Sequence, residues 1–352
     1  MLQDSSLSPL FTPSLRAASI KLRGGDHLQN AESLRRLRES SPFLQIITLN
    51  TDLGMDVPLV RELASFNCLR EIRLPSLPPP EAFQRLAVRP NLASLTLCDA
   101  AASPWTVLSQ RILVHHLLKL EVCGTSQCLA SFLSTTHFDV LKTVRFSFNA
   151  TEVHTRITIT DIIPVLETFR GAISSGSLQS LTLTWLDDSQ DQPPLRDILV
   201  PILSLPAIQS FSFLSLVDVV RQEDEDVKAF AHAWPRLESL SLYSRFIPTP
   251  TLSIAAVHDL YMHCPNLKEV SLTRLQCPAI GVHAILAPRP DHVPPHPLKS
   301  LFIGQVVCPP SAAEGAMEGL LRYFFDLFPR LAYRAVKTRS GPLRIPTSGA
   351  CA

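Results

Sequence analysis

The chain has 352 residues, a formal net charge of +1, 46 % hydrophobic residues and 12 glycines. This balance excludes a general nucleic-acid binder, which needs a basic stripe, and no run of apolar residues is long enough for a membrane span. No G-x-G-x-x-G or G-x-x-x-x-G-K-[ST] follows a candidate strand, so nucleotide cradles of those two kinds are excluded as well.

Residues 1–14 form a short N-terminal segment. Its apolar Leu7, Leu10 and Phe11 make a poor cap, and a longer parent chain is expected ahead of it. From Leu15 onward one six-residue phrase recurs: leucine, two variable residues, then apolar, variable, apolar. It reads LRAASI at 15–20, LQIITL at 44–49, LREIRL at 69–74, LASLTL at 92–97, LLKLEV at 117–122 and LKTVRF at 141–146. It continues as LQSLTL at 178–183, IQSFSF at 208–213, LESLSL at 237–242, LKEVSL at 267–272, LKSLFI at 298–303 and LAYRAV at 331–336. The fourth and sixth positions point to one side of a pleat and the residues between them to the other, so each phrase predicts a strand. Leu240 and Leu242 then face inward, while Ser239, Ser241 and Tyr243 face outward.

Helical periodicity fills the intervals at 57–66, 161–173, 195–205, 252–262 and 315–328. A further helix is expected to end at His115 and His116. The stretch LPPPEAFQRL at 77–86 lies between two strand phrases and is expected to be an ordinary convex helix. RITIT at 156–160 alternates like a strand and is either an extension of the preceding hairpin or an extra edge. Pro42, Pro90, Pro206, Pro235, Pro265, Pro297 and Pro329 stand just before the phrases, where proline ends a helix and directs the chain into the strand. Strand, turn and helix repeated about twelve times predict parallel strands joined by right-handed crossovers. The expected fold is an α/β solenoid, a horseshoe over residues 15–336 with a parallel concave sheet and convex helices. Residues 337–352 are expected to be a loose tail.

The clearest repeat, HCPNLKEVSLTRLQC at 263–277, resembles the cysteine-containing class of leucine-rich repeats. Cys264, Pro265, Leu267, Val270, Leu272 and Cys277 stand at or near the positions of that pattern. With WPRLESLSL at 234–242 and FPRLAYRAV at 328–336, the array resembles the leucine-rich-repeat region of divergent, fungal-type F-box-like proteins. That resemblance implies a non-catalytic protein-recognition solenoid, the substrate-binding part of a ubiquitin-ligase adaptor. It implies a protein substrate on the concave face, and a Skp-type adaptor if an F-box exists upstream. No F-box is recognisable in the chain itself. The alternative is a stand-alone scaffold or regulator with no ubiquitin link.

Other constellations read as structural. Cys264, Cys277, His263, His283, His292, His296 and Cys308 lack the spacing of a zinc site, and the cysteines read as small buried hydrophobes. Cys123, Cys128, His115 and His116 show no orienting partner for a nucleophile. Glu223, Asp224, Glu225 and Asp226 suit a solvated first helical turn, and the tract from Pro288 to Pro297 suits a stiff loop. Neither a cofactor nor a metal is expected. The candidate partner-binding residues are Arg73, Arg145, Thr182, Thr184, Tyr243, Glu269 and Thr273 on the concave face, with Trp185 and Arg274 at its rim, because Trp, Tyr and Arg dominate binding hot spots. Their neighbours Ser180, Ser210, Ser212, Ser239, Ser241 and Ser300 are small, which predicts a weakly charged face. Eight cysteines without close regular pairs, and an N-terminus without a secretory layout, point to the cytoplasm or nucleus.

Overall fold

A computed structural model of the chain describes residues 12–22, 27–50, 55–98, 105, 111–148, 159–185, 193–215, 221–244, 252–276, 295–307, 313–331, 337–338 and 341–342. The fold is mixed α/β, and the chain divides into two compact units, Met1–Leu178 and Gln179–Ala352.

The first unit runs β1 (Ala17–Lys21), α1 (His27–Ser40), β2 (Ile46–Asn50), α2 (Val57–Ala64), β3 (Glu71–Leu74), α3 (Pro80–Ala87) and β4 (Ser94–Leu97). It continues with β5 (Ile112–Val114), β6 (Lys119–Gly124), α4 (Ser126–Thr135), β7 (Thr136–Phe138), β8 (Thr143–Phe148) and α5 (Ile159–Ala172). Strands β1, β2, β3, β4, β6 and β8 lie side by side in that order, each parallel to the next. The first residues of successive repeats are in register: Glu71 opposite Ser94, Ser94 opposite Lys119, and Lys119 opposite Thr143.

In the second unit come β9 (Ser180–Trp185), α6 (Leu195–Leu203), β10 (Ser210–Ser215), α7 (Asp224–Ala233), β11 (Ser239–Ser244), β12 (Leu252–Ser253) and α8 (Ile254–His263). They are followed by β13 (Glu269–Gln276), β14 (Ser300–Val307), α9 (Ala313–Leu327), β15 (Lys337–Thr338) and β16 (Gly341–Pro342). Here β9, β10, β11, β13 and β14 form the parallel ladder, again in register from repeat to repeat.

The recurring phrase explains this order. Its two apolar residues are half-buried in β1, at Ala18 and Ile20, and buried in the repeats from β2 to β14, as the alternation of SLTLTW in β9 and SFSFLS in β10 shows. They face the helices: Phe146 of β8 meets Phe169 of α5 edge-on at 5.0 Å, and Phe211 of β10 lies 5.7 Å from Phe230 of α7. A parallel neighbour can only be reached by a crossover, and a helix provides it between most neighbouring strands, with β5 in its place between β4 and β6. Consecutive helices pack on one another, α1 on α2, α2 on α3 and α4 on α5 in one unit, α6 on α7 and α7 on α8 in the other. Each buried Leu, Ile or Phe side chain contributes about 1.5–3 kcal/mol by leaving water.

Individual helices follow their local signals. Asp56 caps α2 by accepting the Leu59 N–H at 2.9 Å, and proline stands in its first turn. Stretch 77–86 does hold a helix between two strands. In it Ala82, Phe83, Leu86 and Ala87 of α3 are buried, and Phe83 meets Trp105 and Phe132 edge-on.

Three expectations are corrected. Instead of a helix ending at His115 and His116, strand β5 precedes them and pairs with β7 in a separate two-stranded parallel sheet. RITIT contributes Ile159 and Thr160 to the start of α5, its other residues lying outside the described set. Within the expected tail, β15 pairs with β14 at Phe302 and with β16.

A buried column runs through the second unit at the residues that precede proline. Trp234, Cys264, His296 and Phe328 each stand directly before a proline, and their exposures are 0, 0, 6 and 1 %. The Cys264 thiol reaches the carbonyls of Ala231 and Trp234, both at 3.9 Å. The His296 Nε2 is 3.0 Å from the Cys264 carbonyl, and its ring lies 5.1 Å from that of Phe328. Trp234, Cys264 and Phe328 follow α7, α8 and α9 directly, where proline forces the preceding residue out of the helix and its side chain is buried.

Candidate recognition face

Opposite the helices, each unit presents the outward positions of its strands. In the first unit the central row reads Thr48, Arg73, Thr96, Glu121, Arg145 across β2, β3, β4, β6 and β8. Arg73 pairs with Glu71 at 2.9 Å and Arg145 with Glu121 at 3.5 Å, and both arginine side chains stay about half exposed. Lys119 lies 3.9 Å from Glu121. This face therefore carries alternating, mutually compensated charge rather than the weak charge expected from the sequence. Such exposed pairs are each worth about 0–1 kcal/mol to the fold, so their side chains can exchange partners cheaply.

The second unit's face is hydroxyl-rich. One row reads Ser180, Ser210, Ser239, Glu269, Ser300, and the next reads Thr182, Ser212, Ser241, Ser271, Phe302. A third holds Thr184, Leu214 and Tyr243. Thr182 and Thr184 are half-buried on this face, Glu269 is exposed, and Tyr243 is 36 % exposed. Leu214 and Phe302 were not foreseen as members. They occupy the same outward positions as the serines, so strand alternation alone would have found them.

Two predicted site residues are not on the surface. Trp185 is 2 % exposed because it continues the inward series of Leu181 and Leu183. Thr273 is 9 % exposed, and the alternation of β13 breaks there, since Leu272 and Thr273 are buried in succession. Its hydroxyl donates to the Leu242 carbonyl at 2.9 Å and accepts the Ser244 N–H at 2.7 Å. The side chain thus stands in for a missing stretch of ladder between β11 and β13. Arg274 is half-buried, and its Nε is enclosed with no hydrogen-bond partner among the described residues.

The break at Thr273 dictates its neighbour on β14. A Cβ on Gly304 would fall 2.6 Å from the Thr273 carbonyl oxygen, a backbone atom that cannot swing away. Gly304→Ala is therefore expected to cost about 1–3 kcal/mol, the usual scale of overpacking. Urea denaturation measures it, and an unchanged midpoint would show that β14 shifts freely.

The acidic run is structural, though not in the solvated form expected. Asp226 is fully buried and accepts the N–H of Arg196 in the first turn of α6 at 2.9 Å and that of Glu223 at 2.6 Å. Asp224 accepts from the backbone N–H and the hydroxyl of Ser253, the N-cap of α8, at 2.7 and 2.5 Å. Glu223 pairs with Arg221 at 2.5 Å. Two of the four carboxylates, Asp224 and Asp226, thus tie together the N-termini of α6, α7 and α8, where unpaired N–H groups and the helix dipole favour negative charge. Burial pushes the Asp226 carboxyl above its usual range, against the pull of the two N–H donors.

The histidines and cysteines separate. His115 Nδ1 bonds to Asp139 at 2.5 Å, and the other oxygen of that carboxylate lies 3.3 Å from His137. Cys128 is buried in α4, while Cys123 lies half-buried on the open side of β6. Burial pushes the Cys264 thiol up to about 12, so it stays protonated. Cys277, His283, His292 and Cys308 lie outside the described residues. Among the described residues no three His, Cys, Asp or Glu side chains are placed to share a metal ion. An apolar pocket beside α3 is lined by Phe83, Leu86, Ala87, Leu92, Leu95, Val114 and Leu117, with no titratable group. No described helix is long and apolar enough to cross a membrane.

No family model matches the chain, and no curated protein matches it.

Proposed function

We propose that the chain is a leucine-rich-repeat solenoid of about twelve repeats that recognises a protein partner through the outward positions of its strands. Supporting this reading is the in-register placement of those positions, which lines up compensated charges in one unit and hydroxyls around Tyr243 in the other. Parallel strands joined by helices offer an extended surface rather than an enclosed reaction chamber, which suits non-catalytic binding. The role we assign is the substrate-binding part of an F-box-like ubiquitin-ligase adaptor, acting in the cytoplasm or nucleus. Arg73, Arg145, Thr182, Thr184, Tyr243 and Glu269 are its contact residues, while the buried Trp185 and Thr273 support the strands beneath them.

Affinity purification of the tagged full-length gene product from its own cells tests this role. Recovery of a Skp-type adaptor and a cullin supports it. Enrichment of other proteins without either would replace the ligase role by that of a free-standing scaffold or regulator. Against an identified partner, Arg145→Ala and Tyr243→Ala are each expected to weaken binding about tenfold, the equivalent of ~1.4 kcal/mol. Val200→Ala, on an exposed position of α6, is expected to leave the affinity unchanged. Equal affinity across all three variants, read by isothermal titration, would remove the strand face from the interface.

A further inference from the structure

Strands β4 and β6 are parallel neighbours in register from Ser94 opposite Lys119 to Leu97 opposite Val122. Leu97 and Val122 are both fully buried against the core. The next residue in each case is a cysteine: Cys98 directly after β4, and Cys123 within β6. Side chains alternate along a strand, so both thiols project to the open side. Cys98 is exposed and Cys123 half-buried, as that geometry requires.

Each backbone is anchored to the strand on its far side. The Cys98 N–H donates to the Leu74 carbonyl at 2.9 Å, which keeps β4 paired with β3 through this residue. Cys123 is paired with Ser147 of β8. Neighbouring strands lie about 4.8 Å apart, inside the ~4.4–6.8 Å window of Cα separations that a disulfide spans. The Cβ atoms must approach to about 3.8 Å, and Cys98, the first residue beyond β4, can supply that small movement.

We propose that Cys98 and Cys123 are a redox pair that closes to an intramolecular disulfide on exposure to a hydroperoxide. The thiolate of the more exposed Cys98 attacks a peroxide oxygen. The O–O bond breaks, hydroxide leaves and is protonated to water, and the sulfur becomes a sulfenic acid. The Cys123 thiolate then attacks that sulfur, forming the S–S bond and expelling a second hydroxide, which also leaves as water. Two thiols are oxidised and one hydrogen peroxide is reduced to two waters. A dithiol reductant reverses the bond by exchange. Cys128 and Cys264 are buried and lie outside this chemistry. The pair stands independently of the partner-binding role.

The test treats the full chain with hydrogen peroxide, alkylates the remaining thiols and digests without reductant for mass spectrometry. The expected product is a peptide containing Cys98 joined to one containing Cys123, lighter by two hydrogens than the sum and released by dithiothreitol. Cys123→Ser is expected to leave the Cys98 sulfenic acid exposed to trapping by dimedone, and Cys98→Ser to abolish the link. Circular dichroism confirms that both variants fold. Oxidation of wild-type Cys98 to a sulfinic acid or an intermolecular disulfide without the Cys98–Cys123 link would overturn the proposal. So would a link seen only after the protein is unfolded.

Discussion

Trp234→Ala is expected to lower the unfolding free energy by about 3–5 kcal/mol, the range for removing a large aromatic side chain from a packed interior. Trp234 has no exposed surface, stacks on Phe230 at 5.3 Å with planes 16° apart, and leans on Phe211 at 4.9 Å. It joins helix α7 to strand β10 and stands next to Cys264 in the column of residues that precede proline. Truncation therefore opens a cavity bounded by several elements, which cannot collapse together. The indole N–H has no hydrogen-bond partner among the described residues, so Trp234→Phe sacrifices volume but no polar contact. Its cost is expected to stay below about 1.5 kcal/mol. Urea denaturation of both variants checks the pair. Equal losses would mean that the indole nitrogen is bonded after all, and a negligible loss for alanine would mean that the column is loosely packed.

Asp226→Ala is expected to be comparably harmful, at about 1–3 kcal/mol for each backbone N–H left without an acceptor. The two donors belong to Arg196 at the start of α6 and Glu223 just before α7. One side chain thus closes two helix ends, and its loss loosens both. The pH dependence follows from the raised carboxyl. Because burial lifts its pKa in the folded state above that of the unfolded chain, the stability linked to its protonated form is complete below the usual carboxylate range near pH 4. That stability is lost as pH rises through the raised folded value. Asp226→Asn carries no such titration, so the stability difference between wild type and Asp226→Asn should shift against wild type on going from about pH 4 to about pH 7. A pH-independent difference would show that the two N–H donors fully compensate the burial.

Much of the fold was legible because one phrase governs it. Two apolar residues a single step apart, after a leucine, fix a strand, its inward face and its register with the next copy, and the described strands at 46–50 through 300–307 follow it. The short β5 and β7 were not legible. Three-residue strands are too short to show a period of two, and Ile112, Leu113 and Val114 fit a helix end equally well. For the face, alternation alone gives Arg73, Arg145, Thr182, Thr184, Tyr243 and Glu269 their outward positions. It also assigns Trp185 inward, which was missed by ending that strand one residue early. Thr273 lay beyond alternation, because its burial depends on a hydroxyl bonding to the backbone of another repeat. The acidic run showed its preference for a helix start. Which helix ends it would tie together is a tertiary fact that no local pattern holds.

The bare Cα at Gly304 and the turned-in hydroxyl of Thr273 impose one joint rule on any chain that shares this arrangement. With the Thr273 hydroxyl turned back onto the preceding strand, its carbonyl oxygen stands against the following one, where a Cβ on Gly304 would meet it. The two positions are thus coupled across three strands, and a substitution at one has to be read together with the other.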